Sequence, residues 1–489
     1  MRDFIQQPAW TEADLGLPLP DSAHACSVAL PTWSAVIGYE EGRDKVIRRM
    51  RAGYPRFFTN PLVSRLTAQA SHEIGGVGEA VFLFPSKGSA QRAQRWIERQ
   101  SGGAVRAAGF DPFHAVVVPE GVAGVARDYQ RFSGELVSSR AAEDFFEGGV
   151  QMGDKSHLVK RRLAGLYGAS ADHISVYGSG MSAVMAVMRS LPGVAEGKKT
   201  LQLEFPYVDS LKVQELFGTG VVFLGQTEGE SFDEALQRIR QGEFAGVFTE
   251  VPSNPLLRCP DLQQVSEACR EGGIPLIVDD SAVGPYNVQV LPWADVVTAS
   301  LTKWISGAGD VMAGAVVVRE DSPFATDFLP ALERESQEGA PLYVGDAQVL
   351  LANMKDFKER MTRPNQTALR LVGMLGAHPA VESVWHPSVV HRDRYERVKT
   401  PHGGFGGLFS FKLKAPKKSP KFFDALAVSK GPSFGTSFTL ASPYVMLAHY
   451  HERDWAAGCG VPESLIRVSV GQEDPQHLEE VFLTALEAI

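Results

Sequence analysis

Ala294-Asp-Val-Val-Thr-Ala-Ser-Leu-Thr-Lys-Trp304 is a mainly apolar run in which two hydroxyl side chains and a lysine come just before the final tryptophan. The apolar part predicts a strand buried in the core. Lysine is rarely buried, so Lys303 at the end of such a strand requires a chemical reason. Upstream, Pro275-Leu-Ile-Val-Asp279-Asp280 predicts a second buried strand that ends in a carboxylate. Because ligands bind at the carboxyl ends of strands in open α/β sheets, the two stretches predict a ligand site there.

The side chains at this predicted edge match the needs of pyridoxal 5′-phosphate (PLP). Asp279 supplies an acid for the pyridine nitrogen, Lys303 an amine for a Schiff base, and Ser300 and Thr302 hydroxyls for the phosphate. A carboxylate beside the ring nitrogen keeps it protonated and makes the ring an electron sink. An isolated Asp-Asp pair would be read as a cap at the end of a strand, but the downstream lysine favours the cofactor. The sequence therefore predicts a PLP enzyme.

A phosphate site is also predicted where Val176-Tyr-Gly178-Ser-Gly180-Met181 leads from a strand into a helix. The free N–H groups and positive dipole end of a helix N-terminus suit a phosphate. The same string fits a dinucleotide fingerprint, with Glu204 as the ribose acid, and it also fits a tight turn without a ligand. The dinucleotide alternative leaves Lys303 and Asp279 unexplained, so we prefer the PLP site.

Composition excludes several classes of function. The chain has 489 residues, 44% hydrophobic and 21% charged, which is typical of globular domains. The formal net charge of −9 argues against a nucleic-acid surface. The four cysteines lack the spacing of a metal site, so we expect no metal and reduced thiols. No apolar run is long enough for a membrane helix, and no signal sequence is apparent, so we expect a cytoplasmic enzyme without a membrane partner.

The pattern along the chain divides it into three predicted parts. Residues 1–150 are expected to form an N-terminal arm with a further unit, residues 78–136, whose order of strand, helix and strand predicts a βαβ topology. Residues 151–335 alternate strands and helices and predict the large cofactor-binding domain. Residues 336–489 predict a C-terminal domain.

Four motifs resemble, in order and spacing, the cysteine/methionine-metabolism family of PLP enzymes of fold type I. They are Glu250-Val-Pro-Ser-Asn254-Pro-Leu-Leu257, Val278-Asp279-Asp280-Ser281, Ser300-Leu-Thr-Lys303 and Leu465-Ile-Arg467-Val-Ser-Val-Gly471-Gln-Glu-Asp474. The resemblance spans about residues 155–489, and its details look closest to the longer fungal-type cystathionine γ-synthases. It implies an α/β fold with a mostly parallel seven-stranded-type sheet in the large domain and a smaller α+β C-terminal domain. Residues 78–136 are called the inserted unit below, because the resemblance implies that compact relatives lack them.

The resemblance also implies roles for single residues. The backbone of Gly180 and Met181 would hold the cofactor phosphate, and Tyr207 would stack on the cofactor ring and carry protons near the leaving group. Asn254 would lie near the cofactor's 3′-oxygen and the substrate carboxylate. Arg467, alone among apolar residues in an alternating strand, would bind the α-carboxylate of an amino acid. Without the resemblance, a core tyrosine, a turn asparagine and a solvent-facing arginine would be the simpler readings.

Tyr54 and Arg56 resemble the part of the arm that, in this family, crosses a dimer interface to the neighbouring subunit's phosphate. We therefore expect a homodimer or homotetramer with active sites shared across a dimer interface. In the C-terminal domain, Phe438 and Thr439 stand where many relatives that handle cystathionine have Glu and Ser, so both are expected at the substrate. The apolar version is shared by the fungal-type enzymes.

The reaction implied by the resemblance is γ-replacement on an O-acyl-L-homoserine, with cysteine as the nucleophile and cystathionine as the product. Alternatives are γ-replacement with sulfide or with a carbon nucleophile in specialised metabolism, and a γ-lyase. From other classes, a non-catalytic regulator with the same fold and a nicotinamide-dependent dehydrogenase stay open. All are expected to bind small molecules and not nucleic acid.

Overall fold

The computed structural model describes residues 2–489. Its strands are β1 Glu79–Phe84, β2 Arg106–Phe110, β3 Phe113–Pro119, β4 Ile174–Tyr177, β5 Thr200–Leu203, β6 Val221–Leu224, β7 Val247–Glu250, β8 Leu276–Asp279, β9 Val296–Ser300, β10 Gly314–Val318, β11 Val381–Trp385, β12 Leu408–Leu413, β13 Ser429–Lys430, β14 Leu440–Pro443 and β15 Ile466–Ser469. Its α-helices are α1 Trp33–Glu40, α2 Asp44–Ile47, α3 Pro61–Ile74, α4 Lys87–Ser101, α5 Ala123–Ser133, α6 Ser139–Glu147, α7 Ser156–Tyr167, α8 Gly180–Ser190, α9 Pro192–Ala195, α10 Val208–Phe217, α11 Glu230–Arg240, α12 Leu262–Gly272, α13 Ala325–Glu338, α14 Val344–Asn353, α15 Phe357–Ala377, α16 Arg392–Val398, α17 Ser419–Ala425, α18 Tyr444–Ala448, α19 Arg453–Gly458 and α20 Pro475–Glu487. Across that range, no helix combines the length and the apolar character needed to cross a membrane.

The strands form three sheets. A three-stranded sheet has the order β1-β3-β2, a seven-stranded sheet the order β4-β10-β9-β8-β7-β5-β6, and a five-stranded sheet the order β11-β12-β15-β14-β13. In the seven-stranded sheet β10 runs antiparallel to β4 and β9, and the other neighbouring pairs are parallel. The predicted mostly parallel seven-stranded sheet and smaller C-terminal sheet are therefore confirmed.

The central strands are apolar at nearly every position because helices cover both faces of the seven-stranded sheet. In β8, Leu276 and Val278 pack in one core with α7, α11 and α12, whereas Ile277 packs in the other with α8 and α13. A side chain points to alternate faces at each step along a strand, so a strand between two helical layers needs apolar residues on both. This pattern predicted the strand, and it leaves polar residues only at its end.

The reversed direction of β10 brings β4 and β9 to end at the same edge of the sheet. Gly314, the first residue of β10, pairs with both Tyr177 and Ser300. The approach is close: a Cβ at Gly314 would lie 2.2 Å from the carbonyl oxygen of Ser179. The carboxyl ends of β4, β7, β8 and β9 therefore meet at one edge, as the sequence predicted for the strands that end at Asp279 and Ser300.

The inserted unit contains one strand more than the sequence predicted. β1 pairs antiparallel with β3, and β2 also pairs antiparallel with β3. β1 and β2 are therefore parallel and joined by α4, and β3 lies between them as the middle strand of the sheet. The missed strand, Arg106–Phe110, is mostly exposed and contains Gly109, so it lacks the apolar pattern by which β1 and β3 were recognised.

Candidate active site

A cavity of about 340 Å³ lies at the edge where the central strands end. The seven-stranded sheet contributes Asp279, Ser300 and Lys303 to its wall, and the five-stranded sheet contributes Arg467. The N-terminal arm and the inserted unit close it with Tyr54, Arg56 and Arg131 among others. The predicted lysine, aspartate and arginine thus face one space, although they come from separate parts of the sequence.

Lys303 lies deep in this cavity and is 8% exposed. Its Nζ donates to the Ser433 Oγ at 2.8 Å and lies 4.4 Å from the centre of the Tyr54 ring and 4.9 Å from that of Phe434. Burial, together with the positive charge of Arg467, lowers the pKa of Lys303 to about 7. A large fraction of this amine is therefore neutral near pH 7, as a nucleophile or base must be.

Ser433 holds both of the cationic groups at the centre of the cavity. Its Oγ accepts from Lys303, and its carbonyl oxygen accepts from Arg467 Nη2 at 2.9 Å. The backbone of Ser433 has φ of 82°, a left-handed conformation that is uncommon for a residue with a Cβ. Such strained residues persist where the surrounding structure enforces them, and they cluster at functional sites. No pattern in the sequence indicated this role of Ser433.

Two buried carboxyl groups lie side by side at the ends of β7 and β8, where Glu250 pairs with Asp279. Asp279 accepts from the Ser281 N–H at 2.9 Å and from the Thr298 hydroxyl at 2.7 Å. Glu250 accepts from the Tyr207 N–H at 2.6 Å. Burial raises the pKa of Asp279, and it raises that of Glu250 well above the usual value. A cationic ligand is what would stabilise the charged form of Asp279, as a pyridinium nitrogen would.

The opposite end of the cavity suits a phosphate. Gly180 and Met181, in the first turn of α8, line it together with Ser300. A Cβ at Gly180 would lie 2.9 Å from the Ser300 Cβ, so glycine is needed for this close approach. Ser179 caps the helix by accepting from the Ser182 N–H at 3.0 Å. Helix N–H groups and a hydroxyl that face the same space are donors of the kind a phosphate takes.

Thr302, predicted as a second phosphate ligand, is placed differently. Its Oγ1 accepts from the Ala313 N–H at 3.0 Å, and the residue does not line the cavity. The reason is the turn that follows β9, which directs this side chain toward the start of β10 while Lys303 points into the cavity. The structure thus assigns Thr302 to the turn and leaves Ser300 as the hydroxyl at the phosphate end.

Tyr207 is held by a buried charged cluster that the sequence did not reveal. Arg56 donates to the Tyr207 hydroxyl and also to Asp209 at 2.5 Å. Asp209 is fully buried and receives a second arginine, Arg131 of the inserted unit, at 3.2 Å. The neighbouring Tyr207 and Asp209 raise the pKa of Arg56, although burial alone would lower it. Asp209 could not be recognised because its partners lie far away in the sequence.

The position of Tyr54 and Arg56 corrects the prediction that they reach a neighbouring subunit. Both line the cavity of their own chain. Besides its bonds to Asp209 and Tyr207, Arg56 donates to the carbonyl oxygen of Arg131 at 2.8 Å. The inserted unit, which stands next to the arm, provides that acceptor and keeps the arm in place.

Arg467 extends from β15 into the cavity and is 6% exposed. Its Nη1 donates to Asn254 Oδ1 at 3.0 Å, and its Nη2 donates to the Ser433 carbonyl. Its guanidinium also lies 4.9 Å from the centre of the Tyr444 ring. Burial lowers the pKa of Arg467. A buried guanidinium with neutral hydrogen-bond partners suits an anionic ligand such as a carboxylate.

Phe438 and Thr439 are not where the prediction put them, because neither lines the cavity. The Phe438 ring lies 5.3 Å from that of Phe4 in an apolar cluster with other residues of the arm. The Thr439 hydroxyl donates to Glu473 at 2.8 Å and accepts from the Gly471 N–H at 3.0 Å. The start of the arm covers Phe438, and Glu473 binds Thr439, so neither side chain reaches the cavity.

The mouth of the cavity carries charged residues that the sequence did not single out. They include Glu40 at the end of α1, Lys212 on α10 and Glu452 after α18. Burial raises the pKa of Glu40 to about 7, against the opposing effect of Arg131. Lys212 pairs with Glu452 at 3.4 Å. Within residues 2–489, no group of His, Cys, Asp and Glu is arranged to hold a metal ion.

Comparison with known proteins agrees with this geometry. The family described as Cys/Met metabolism PLP-dependent enzyme matches residues 150–487. The chain is 31% identical to cystathionine gamma-synthase of Neurospora crassa, over 97% of this chain and 98% of that protein. It is 34% identical to L-2-amino-4-chloropent-4-enoate dechlorinase/desaturase of Streptantibioticus cattleyicolor, over 96% and 97%.

A solved structure shares the fold. The crystal structure of cystathionine gamma synthase from Xanthomonas oryzae pv. oryzae, in complex with aminoacrylate and cysteine, superposes with a TM-score of 0.60. The identity is 24%, and the match covers 69% of this chain and 87% of that one. The curated relatives match nearly the whole chain, arm and inserted unit included, whereas this structure matches about two thirds of it.

Proposed function

Because this chain belongs to the Cys/Met metabolism PLP-dependent enzyme family, we propose that it catalyses γ-replacement on an O-acyl-L-homoserine, with cysteine as the nucleophile and cystathionine as the product. The observation that carries the proposal is the arrangement around Ser433. One residue fixes both the Lys303 amine, at 2.8 Å, and the Arg467 guanidinium, at 2.9 Å. A base and a carboxylate anchor held together in this way suit a reaction at the Cα of an amino acid.

The side chains divide the work between binding and proton transfer. When bound, PLP withdraws electrons from the substrate and makes its Cα proton acidic. Lys303, whose pKa is about 7, accepts that proton and moves protons at Cβ. Arg467, oriented by Asn254, binds the α-carboxylate, while Asp279 holds the proton on the pyridine nitrogen. The hydroxyl of Tyr207, fixed by Arg56, donates a hydrogen bond to the acyloxy group as that group leaves as a carboxylate.

Charges at the mouth of the cavity favour an amino acid as the nucleophile. Cysteine carries an ammonium and a carboxylate, and the mouth offers the carboxyl groups of Glu40 and Glu452 and the ammonium of Lys212. Sulfide has neither group to match. This complementarity, and not Phe438, is what supports cysteine, because Phe438 packs under the arm.

A second candidate is γ-elimination, in which the C4 substituent leaves and no external nucleophile adds. It is favoured by the 34% identity to the dechlorinase/desaturase of Streptantibioticus cattleyicolor. The two reactions share the same proton transfers by Lys303 and the same anchor, Arg467. They differ in whether the mouth of the cavity binds a second amino acid.

The test offers the PLP-loaded protein O-acetyl- and O-succinyl-L-homoserine, each with cysteine, with sulfide, with a β-keto acid and without a nucleophile. We expect the highest kcat/KM with cysteine, and cystathionine as the product by mass spectrometry. Glu40→Gln should raise the KM for cysteine and leave the KM for sulfide unchanged. Faster turnover with the β-keto acid, or without any nucleophile, would overturn the cystathionine assignment.

We also propose that the enzyme works in the cytoplasm. Its four cysteines are free, and Cys26, Cys259 and Cys269 are buried. Free thiols persist in a reducing compartment. Recovery of the protein in a secreted fraction would contradict this location.

A further inference from the structure

We infer that the inserted unit, residues 78–136, completes the PLP site within a single chain by holding the arm's Arg56 in the cavity of its own subunit. The inference rests on the proposed cofactor and goes beyond the proposed reaction. It gives a function to a part of the chain that the family match at residues 150–487 does not cover. It also predicts that an active site needs no residue from a second copy of the chain.

The first support is the contact between the inserted unit and the helix at the phosphate end of the cavity. Gly134, the residue after α5, accepts from the Ser179 hydroxyl at 2.9 Å through its carbonyl oxygen. Its φ is +66°, and a Cβ there would lie 2.4 Å from the Ser179 Oγ and 2.9 Å from the Met181 Cβ. The unit therefore sits directly against the first turn of α8, where a larger residue would not fit.

The second support is a buried ion network at the other end of α8. Glu135 accepts from Arg189, the penultimate residue of that helix, at 2.8 Å and from Arg92 of α4 at 2.6 Å. The Tyr129 hydroxyl donates to Glu135 at 2.7 Å. Although burial opposes it, Arg189 and Arg92 lower the pKa of Glu135 to about 2. The inserted unit thus forms hydrogen bonds or ion pairs with α8 at both ends of the helix.

The third support is the packing of the unit on α10, the helix that begins just after Tyr207. The Trp96 ring is stacked on Phe217 at 5.0 Å, and the Tyr129 ring lies 5.7 Å from Phe217. α10 carries Asp209, the carboxylate that binds Arg56. The two helices that border the cofactor cavity on this side are therefore both anchored to the inserted unit.

The fourth support is the direct hold on the arm. The Arg131 carbonyl accepts from Arg56 at 2.8 Å, and the Arg131 guanidinium lies 4.6 Å from the centre of the Phe57 ring. Arg56 and Arg131 together face the single carboxylate of Asp209. These two arginines and Asp209 together carry one net positive charge, from one chain, in the wall of the cavity that Gly180 and Met181 also line. A phosphate dianion is the ligand that such an excess of positive charge suits.

The test uses two variants that each damage a different half of the site. Arg56→Ala should weaken PLP binding about tenfold or more, because it removes a cation and leaves Asp209 buried with one partner. Lys303→Ala cannot form a covalent link to PLP. The two chains are co-expressed with different tags, mixed assemblies are isolated with both tags in turn, and PLP is titrated with borohydride trapping on Lys303.

If each site is built within one chain, only the Arg56→Ala chain of a mixed assembly can trap PLP, and it does so with the weakened affinity of that variant. That result supports the inference. A failure to form mixed assemblies also supports it if the protein is a monomer that binds PLP. Trapping of PLP with wild-type affinity at a fraction of the sites would overturn the inference, because such a site must combine Lys303 of one chain with Arg56 of the other. An unmodified protein that does not bind PLP would instead refute the proposed function.

A second experiment addresses the inserted unit itself. Arg131→Ala should weaken PLP binding severalfold to tenfold, because Arg56 is then the only arginine paired with Asp209 and its charge is neutralised by that carboxylate. Arg127→Ala, an exposed residue on the same helix that does not line the cavity, is the matched control and should bind PLP normally. Equal PLP affinities for the two variants would contradict the role of Arg131 as a positioning residue.

Discussion

Replacement of Arg467 by alanine should separate substrate binding from cofactor binding. The guanidinium is buried and uses Nη1 and Nη2 for Asn254 and Ser433. We expect it to give the substrate carboxylate a charge-assisted bond in a site without competing water. Truncation of one partner of such a pair costs about 2–5 kcal/mol. At about 1.4 kcal/mol for each factor of ten, kcat/KM for the O-acylhomoserine should fall from about thirtyfold to several thousandfold.

The same variant should change the pH dependence in a direction fixed by the structure. The charge of Arg467 adds to burial in lowering the pKa of Lys303 to about 7. Without that charge the pKa of Lys303 rises, so less of the amine is neutral at pH 7. The amine of Lys303 is free only after the substrate has displaced it from PLP, so the acid limb of the kcat profile should move to higher pH.

Arg467→Lys is the matched control, because it keeps the positive charge and loses the planar fork. It should leave the acid limb near its wild-type position while kcat/KM still falls. The absorbance of bound PLP should persist in both variants, which shows that the cofactor site is intact. A loss of less than about fivefold in the alanine variant, or an unmoved acid limb, would refute the assignment of Arg467.

Three further predictions test other parts of the site. Lys303→Met should stabilise the PLP-free protein at pH 7, by on the order of 5 kcal/mol at most. Burial depresses the pKa of Lys303 to about 7 in the folded protein, so between pH 7 and the ordinary pKa of lysine the unfolded chain binds more protons than the folded chain. The gain in the free energy of unfolding should shrink between pH 7 and 10.5, and denaturant titrations with a constant difference would contradict it. Gly180→Ala should weaken PLP binding about tenfold or more, measured by fluorescence titration, because its Cβ would lie 2.9 Å from the Ser300 Cβ; unchanged affinity would show that the first turn of α8 does not border the cofactor. Phe438→Ala should lower the free energy of unfolding by about 3–5 kcal/mol, because the ring packs on Phe4 in a closed cluster, and it should leave the ratio of kcat/KM for cysteine and sulfide unchanged; a change in that ratio would place Phe438 at the substrate.

The residues that the sequence predicted best are those whose chemistry conflicts with their surroundings. Lys303, Asp279 and Arg467 are charged groups within or at the ends of apolar strands, and burial of a charge is costly unless it is used. That conflict is visible in a few consecutive residues. For Lys303 and Asp279 the local pattern was enough to indicate a position at a ligand site. For Arg467 and for Gly180, in the first turn of α8, the pattern left other readings open, and the family resemblance favoured the cavity.

The errors arose where a residue's surroundings depend on a distant segment. Phe438 and Thr439 were expected at the substrate, yet the beginning of the arm covers Phe438, and Thr439 bonds to Glu473. Tyr54 and Arg56 were expected to reach the cofactor site of a neighbouring subunit, yet they line the cavity of their own chain. The periodicity of the sequence does not indicate which distant segment packs over a given residue.

A mostly parallel sheet, the edge at which its strands end, and several of the charged groups at that edge could be predicted from the amino-acid pattern, because periodicity and burial act over neighbouring residues. The packing of distant segments was needed to show that Ser433 joins Lys303 to Arg467 and that Asp209 binds Arg56 and Arg131. These contacts join residues that are far apart in the chain, and Ser433 and Asp209 alone look like an ordinary loop residue and an ordinary helix residue. The packing of the arm and the inserted unit against the sheet brings them together and gives them their electrostatic effect.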